Sequence, residues 1–168
     1  MADIFEREES FHDSWASSVR LDEIPVDASF ECCTAPEARQ ICNWLGNVEG
    51  KKLLDLGCGL GEASVYFAKQ GANVTASDIS GKMLEVVQRL AKNHSVELDC
   101  IKCPSNQIDA PNETFDVVYC GNLLHHVDIE ETLIEIKRVL KTGGAIVSWD
   151  PLVHNPLIQI YRFIATSV

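Results

Sequence analysis

Short apolar runs alternate with helical patterns of apolar residues from about residue 51 onward. The runs have the length of buried strands, and the patterns between them repeat every three or four residues, as on the inner face of a helix. The predicted strands begin with KKLLDLG at residue 51 and continue at 72–77, 96–103, 115–120 and 145–150. Strands alternating with helices favour a doubly wound, mostly parallel sheet covered on both faces, so the predicted fold class is α/β.

Capping residues mark where several predicted helices begin. Ser80 and Asp128 each precede an amphipathic pattern, and both residue types accept hydrogen bonds from the first N–H groups of a helix. Thr34 opens a capping box before a further pattern, for which Gly46 is a plausible stop. A last helix is predicted from Asn155 to the end, after a tight turn of Thr and Gly residues at 142–144 and the fifth strand.

The N-terminal preface, residues 1–48, differs in pattern from the alternating core over residues 49–168. Its segment FHDSWASS carries Phe11, His12 and Trp15, whose rings are candidates for a lid that excludes water from a site. The alternative is a helix that packs on the core.

Composition and charge restrict the classes of partner. The chain has 168 residues, a formal net charge of -11 and only 14 Lys and Arg residues, with no run of them. Nucleic acids and anionic membranes are bound through clustered basic residues, so we expect neither as a partner. The seven cysteines are scattered, and no secretory signal or membrane-spanning run is visible, so a reduced, cytoplasmic protein is expected.

The pair Cys100 and Cys103 has the spacing of a metal or redox motif, but it lies on a predicted strand. Side chains three residues apart on a strand point to opposite faces, and zinc needs two further ligands. We therefore expect no metal site.

The first predicted strand ends in DLGCGLG, residues 55–61, and opens a helix. Glycines let the backbone turn sharply and approach a ligand closely, and the helix N-terminus offers unpaired N–H groups. A tight turn without a ligand would need the same glycines. The next strand ends at Asp78, about twenty residues beyond the loop, where a carboxylate can accept hydrogen bonds from ribose hydroxyls. The two features together predict a nucleoside site.

Glu62 stands where the dinucleotide fingerprint G-x-G-x-x-G has its last glycine. A carboxylate beside a pyrophosphate is electrostatically unfavourable, whereas a smaller or cationic group is favoured there. A nicotinamide-dependent oxidoreductase is therefore the disfavoured alternative.

Three segments in this order resemble class I S-adenosylmethionine (AdoMet)-dependent methyltransferases: VEGKKLLDLGCGLGEASVYFAKQGANVTASDIS, FDVVYCGNLLHHV and RVLKTGGAIVSWD. The resemblance spans about residues 48–150 and is closest to the small-molecule branch that includes ubiquinone-biosynthesis and sugar O-methyltransferases. It implies a Rossmann-like fold, AdoMet (S-adenosyl-L-methionine) as cofactor, S-adenosyl-L-homocysteine as product and a small-molecule acceptor. The family sheet normally has seven strands, so the core is expected to be truncated after the fifth strand, whose exposed edge favours a homodimer.

The resemblance also implies cofactor contacts. Asp55 and the backbone of residues 57–61 would hold the methionine part, Asp78 the ribose hydroxyls, and Ile79 the adenine. The implied cofactor set is Asp55, Gly57, Cys58, Gly59, Gly61, Asp78, Ile79, Met83, Ser105, Asn106, Gly121 and Asn122.

The adenine loop departs from the family pattern. Many relatives have an Asp where Pro104 stands here. Ser105 and Asn106 are the expected substitutes, because both can hydrogen-bond an adenine amine or ring nitrogen.

His125 and His126 follow the fourth predicted strand, and histidine titrates near neutral pH. A base is needed when a hydroxyl acceptor must lose a proton. The resemblance implies that His126 and Asp150 form the base pair, with His125 as a further candidate. Either histidine could instead pack on or cap the next helix, and Asp150 could be a turn residue. The alternative function is a non-catalytic AdoMet-binding domain or assembly partner.

Overall fold

Five parallel strands form one sheet in the computed structural model, which describes residues 2–32 and 35–150. The strands are β1 (Lys52–Leu56), β2 (Asn73–Asp78), β3 (Asp99–Lys102), β4 (Phe115–Gly121) and β5 (Leu140–Trp149). Their order in the sheet is β3-β2-β1-β4-β5, and every pairing is parallel. The order reverses between β1 and β4, and ligands of such sheets bind at that point, outside the carboxyl ends of the strands. The predicted α/β fold is confirmed.

Helices connect the strands and form the preface. In the described residues they are α1 (Ala2–Ser18), α2 (Ala28–Glu31), α3 (Pro36–Leu45), α4 (Glu62–Lys69), α5 (Gly81–Asn93) and α6 (Ile129–Val139), with one 3-10 turn at Leu21–Glu23. α4, α5 and α6 each follow a strand and return the chain to the next parallel strand, as a parallel sheet requires.

Each face of the sheet packs against its own hydrophobic cluster. Leu53 and Val117 belong to a cluster that also contains residues of α3, α4 and α5. Their neighbours Leu54 and Val118 point the other way, into a cluster with Ile136 of α6, because side chains alternate across a strand. Both faces are therefore covered, as the continuous apolar runs predict.

The predicted caps of α5 and α6 are confirmed. The Ser80 hydroxyl accepts a hydrogen bond from the backbone N–H of Met83 at 3.0 Å, and Asp128 accepts one from Glu131 at 3.0 Å. α3 ends at Leu45, and the predicted stop Gly46 is its C-cap, with a φ of 61°.

The start of α3 differs from the expected capping box. The helix begins at Pro36, and its N-cap Ala35 makes no side-chain hydrogen bond. The predicted cap Thr34 lies outside the described residues, as does the predicted helix from Asn155.

The glycines predicted to form a turn before the fifth strand lie within β5. Pairing with β4 jumps from Phe115 opposite Leu140 to Val117 opposite Ala145, so the residues between form a bulge. Gly143 has a φ of 82° there, which suits a bulge as well as a turn. β5 is the edge strand of the described sheet; its pairing with a second copy stays a prediction.

The preface shares a core with the sheet and lies across the carboxyl ends of β2 and β3. Ala16 and Phe30 belong to the same cluster as Leu53 of β1. The Ser80 hydroxyl donates a hydrogen bond to Asp13 of α1 at 2.5 Å. These contacts place α1 over the edge where a ligand is expected.

Substitution of Gly61 by alanine tests how tightly the turn before α4 packs on α5. It has a φ of 88°, and a Cβ there would lie 2.8 Å from a methyl carbon of Val87. Gly50 has a φ of 71°, and a Cβ there would meet nothing within 4 Å. We expect Gly61→Ala to lower the free energy of unfolding by about 1–3 kcal/mol more than Gly50→Ala, because only the first adds overpacking to backbone strain.

Urea unfolding of both variants measures this difference. Equal losses of unfolding free energy in the two variants would show that Val87 moves away from the added methyl group without cost.

Candidate functional site

The segment after β1 turns so that its N–H groups are held by the end of β2. The N–H groups of Gly57 and Cys58 both donate to the carbonyl oxygen of Ser77, at 2.9 Å each. Gly59 has a φ of 52°, and a Cβ there would point into open space. The turn therefore presents bare backbone to the adjoining cavity.

Asp78 joins this turn to the start of α5. One carboxylate oxygen accepts the N–H of Gly59 at 3.0 Å, and the other accepts the N–H of Ser80 at 2.8 Å. The side chain is buried. Burial raises the pKa of Asp78, and the two backbone hydrogen bonds oppose that rise.

A cavity of about 390 Å³ opens beside the glycine turn. Its volume is in the range of small-molecule sites. The predicted site residues that line it are Gly57, Cys58, Gly59, Asp78, Ile79, Ser105, Gly121, Asn122 and His126. We call it the first cavity.

A second cavity of about 410 Å³ lies on the other side of the turn, towards α3 and β5. It shares Gly57, Cys58, Glu62, Gly121 and Asn122 with the first cavity. Asp55 lines only the second cavity, whose aromatic lining residues are Phe30, Tyr119 and Trp149. The glycine turn thus faces two adjoining spaces.

Three carboxylates, those of Asp55, Glu62 and Asp78, surround the turn, and none of them forms a salt bridge within the described residues. Burial raises the pKa of Asp55 to about 7. The hydrogen bond that Asp55 accepts from Ser64, at 2.5 Å, acts in the opposite direction and lowers this pKa. The negative charges of Glu62 and Asp78 raise it further. Burial also raises the pKa of Glu62. A positively charged ligand group would relieve these unfavourable charges, whereas a pyrophosphate would add to them.

Asp150 is hydrogen-bonded to His125 rather than to His126, its expected partner. Its Oδ1 lies 2.8 Å from Nδ1 of His125, and it also accepts a hydrogen bond from Ser148 at 2.9 Å. The reason is local geometry: the backbone N–H of His125 also points at Asp150, at 3.3 Å, which leaves the ring of His126 facing the first cavity.

The two histidine rings pack together, with centroids 4.0 Å apart. Burial lowers the pKa of His126, and the adjacent His125 lowers it further. His126 is therefore neutral near pH 7 and able to accept a proton.

Some predicted contacts lie away from both cavities. Met83 is fully buried in the core, Gly61 is the N-cap of α4, and Asn106 donates to Glu131 at 2.7 Å. Ser105 lines the first cavity, but its hydroxyl is already paired with that of Thr132 at 2.9 Å. The adenine contacts expected of Ser105 and Asn106 thus compete with protein partners.

The preface contributes residues that the sequence analysis partly missed. Glu8, His12 and Trp15 line the first cavity, whereas Phe11 is 65% exposed and does not. Residues at these spacings share one face of a helix, so predicting α1 as a helix would have identified Glu8.

No group of three or more metal-binding side chains is present within residues 2–32 and 35–150. Cys103 lies just beyond β3 and lines the first cavity, whereas Cys100 lies on β3 and packs beside α5. In the same described ranges, no helix is long and apolar enough to cross a membrane.

Residues 54–148 match the family model described as a methyltransferase domain. The match covers more than half of the chain, which therefore belongs to this family, the class I AdoMet-dependent methyltransferases. AdoMet is the cofactor of the class.

Relatives and solved structures agree with this assignment. A ubiquinone biosynthesis O-methyltransferase of Pseudoalteromonas translucida is 33% identical over 128 residues, which are 76% of this chain and 54% of that protein. The chain thus spans about half the length of the curated relatives it matches.

Two structures show the likeness of fold. A SAM-dependent methyltransferase from Aquifex aeolicus has a TM-score of 0.67 at 24% identity, over 82% of this chain and 72% of that one. Haemonchus contortus phosphoethanolamine N-methyltransferase 1, in complex with phosphoethanolamine and S-adenosylhomocysteine, has a TM-score of 0.71 at 16% identity, over 90% of this chain and 33% of that one.

The residues of the site fit this cofactor. AdoMet carries a positive sulfonium and an ammonium group, which the carboxylates of Asp55, Glu62 and Asp78 would stabilise. The open space beside Gly59 admits a ligand against the backbone, and the two adjoining cavities give room for a nucleoside and an amino-acid tail.

The raised pKa of Asp55 predicts that AdoMet affinity depends on pH. Below about pH 7 Asp55 holds a proton, and a cationic ligand favours its loss, so affinity should rise between about pH 6 and about pH 8, by at most about tenfold per pH unit for one linked proton. Asp55→Asn should remove most of this dependence. Calorimetric titration with AdoMet over this pH range measures the affinity of the unaltered chain and of Asp55→Asn.

An affinity of the unaltered chain that does not change with pH would contradict the expectation. The same pH dependence in Asp55→Asn would assign it to another group.

Proposed function

We propose that this chain binds AdoMet across the two cavities and transfers its methyl group to an oxygen of a small-molecule acceptor. The observation that carries the proposal is a bare glycine turn and a buried carboxylate, Asp78, meeting at a cavity that also contains a neutral histidine. When bound, AdoMet supplies a methyl group on a cationic sulfur, which is already an activated leaving group.

The chain's own residues would hold and orient the cofactor. Asp78 would accept hydrogen bonds from ribose hydroxyls with the lone pairs that Gly59 and Ser80 leave free. Asp55 and Glu62 would stabilise the positive charges from the second cavity. Most of the rate enhancement would come from holding the reactants in line.

His126 is the proposed base for a hydroxyl acceptor. It lines the first cavity, and its lowered pKa leaves it unprotonated at neutral pH. His125 and Asp150 act as positioning residues in this proposal: Asp150 holds His125 at 2.8 Å, and the ring of His125 packs against that of His126.

An oxygen acceptor is supported by the names of the sequence relatives, which are O-methyltransferases. The aromatic residues Phe30, Tyr119 and Trp149 line the second cavity, and they would favour an acceptor with an apolar or aromatic body. A cytoplasmic location and a homodimer through β5 stay predictions.

The alternative is an AdoMet-binding domain without catalysis, or an assembly partner. The hydrogen bonds that Ser105 makes with Thr132 and Asn106 with Glu131 favour it, because they leave the adenine edge with fewer side-chain donors. A methyl-release assay over a panel of hydroxylated metabolites separates the two functions.

Cofactor binding is tested by calorimetric titration with S-adenosylhomocysteine, AdoMet and NADH. We expect both adenosyl compounds to bind and NADH not to bind. Asp78→Ala should weaken binding by about 100-fold or more, because it removes a charged acceptor of ribose hydrogen bonds. A matched control is Asp99→Ala, an exposed carboxylate that lies on neighbouring β3 and lines neither of the two cavities.

Binding of NADH in preference to AdoMet would contradict the proposal. So would unchanged affinity in Asp78→Ala with the fold intact by circular dichroism.

The base assignment predicts that His126→Ala lowers kcat by about 100-fold to 10,000-fold, with little change in S-adenosylhomocysteine affinity. His125→Ala and Asp150→Asn should lower kcat less, because they act through the position of His126. His94→Ala is the control, since His94 caps the far end of α5.

Steady-state kinetics with an acceptor found in the panel provides the measurement. Full turnover in His126→Ala would exclude it as the base.

A further inference from the structure

We propose that Glu8 of α1 is the carboxylate partner of His126, whose negative charge stabilises the ring once it has taken the acceptor's proton. The inference rests on the proposed function and adds to it a positioning residue from the N-terminal preface. The family resemblance implied this role for Asp150, which is hydrogen-bonded to His125 instead.

Glu8 and His126 both line the first cavity, and both are open to it. The Glu8 side chain is 39% exposed, and His126 is exposed as well. An oxygen of the Glu8 carboxylate lies 3.7 Å from Nε2 of His12, which is longer than a hydrogen bond. The carboxylate is therefore not held by His12 and can act on the other ring at this cavity.

Two contacts fix α1 over the cavity and thereby place Glu8. Asp13 accepts a hydrogen bond from Ser80 at the start of α5, at 2.5 Å. Glu9, the neighbour of Glu8, forms an ion pair with Lys102 at the end of β3, at 2.5 Å. Glu8 is thus held at the cavity by the bonds of residues near it on the helix, as a positioning role requires.

The surroundings of His126 oppose its protonation, so a nearby negative charge matters. Burial lowers the pKa of His126, and His125 and His12 lower it further. Glu8 and Asp150 raise the pKa, and Glu8 has the larger effect of the two. The other titratable side chains that line the cavity are Cys58, Glu62, Asp78 and Cys103. Glu8 therefore helps to keep the ring basic enough for proton transfer near neutral pH, where a base is most effective.

Glu8 acts at the moment when the ring of His126 becomes charged. As the acceptor oxygen bonds the methyl carbon, its O–H bond breaks and the proton moves to a ring nitrogen of His126. The bonding pair between carbon and sulfur stays on the sulfur. The ring is then a cation, and a carboxylate on the same cavity favours this charged form.

The first test measures the pKa of His126 by NMR of the histidine rings over about pH 4–9. Loss of a signal in His126→Ala assigns the ring. We expect Glu8→Gln to lower this pKa by about 0.5–1 pH unit, because it removes the negative charge and keeps the size of the side chain. Glu8→Asp should restore most of the difference. The measurement needs neither an acceptor nor AdoMet.

Glu6→Gln is the matched control. It removes a carboxylate from an exposed residue of the same helix that does not line the first cavity, and it should leave the pKa of His126 unchanged. Thermal unfolding of each variant checks that the fold is intact.

The second test is kinetic and uses an acceptor found in the methyl-release panel. In Glu8→Gln the rise of kcat/KM with pH should move to lower pH by the same amount, and kcat at about pH 8 should fall about 2-fold to 10-fold. Added to His126→Ala, Glu8→Gln should cause no further loss, because it acts through the ring.

Three results would overturn the inference while leaving the proposed function in place. They are an unchanged pKa of His126 in Glu8→Gln, an equal fall in Glu6→Gln, and a full further loss of kcat when Glu8→Gln is added to His126→Ala. The proposed function fails by other results: full turnover in His126→Ala, or no binding of S-adenosylhomocysteine to the unaltered chain.

Discussion

The site depends on the carboxylate of Asp78 and the two backbone N–H groups that it accepts. By bonding Gly59 and Ser80, it fixes the glycine turn against the end of β2 and sets where α5 begins. The same carboxylate is buried at the cavity. One side chain therefore shapes the binding surface and, in the proposed function, would supply its main polar contact. This dual use explains why Ser80 and Asp78 both act at the start of α5: Ser80 caps the helix, and Asp78 orients the cap.

The second constraint is electrostatic. Three acidic residues meet at the turn, and burial raises the pKa of each of them. Such an arrangement is costly in an empty site and becomes favourable when a cation enters. The glycine turn alone does not discriminate between nucleotide cofactors, whereas its carboxylates do, because they repel a pyrophosphate and attract a sulfonium. The charge of the site thus favours AdoMet over a dinucleotide more directly than the glycine spacing does.

Local patterns predicted much of the fold. Five strands, their parallel pairing and the caps at Ser80 and Asp128 follow from hydrophobic periodicity and capping chemistry, which act over a few residues. The placement of α1 was not predictable in this way, since it depends on bonds such as Asp13 to Ser80 between segments far apart in sequence. The bulge at Gly143 was not predicted from the sequence for a related reason. A glycine indicates that the backbone can adopt a positive φ, but both a turn and a bulged strand use that conformation.

In the candidate site, too, features set by local sequence were predictable, and contacts between distant segments were not. The glycine turn and Asp78 were predicted because their roles belong to the ends of adjacent strands. The histidine that contacts Asp150 could not be predicted, because His125 and His126 are adjacent in sequence. Only the backbone direction in that loop determines which of the two rings turns towards β5. Met83 is fully buried in the core and lines neither cavity, because α5 beside the site also supplies core residues.

A crystal structure with S-adenosylhomocysteine bound tests the central claim most directly. The account predicts ribose hydroxyls within hydrogen-bond distance of Asp78, the ligand lying along residues 57–61, and its amino group on the side of Asp55 and Glu62. A nucleoside bound elsewhere, or one whose ribose lies away from Asp78 while protein side chains fill the crevice, would contradict it.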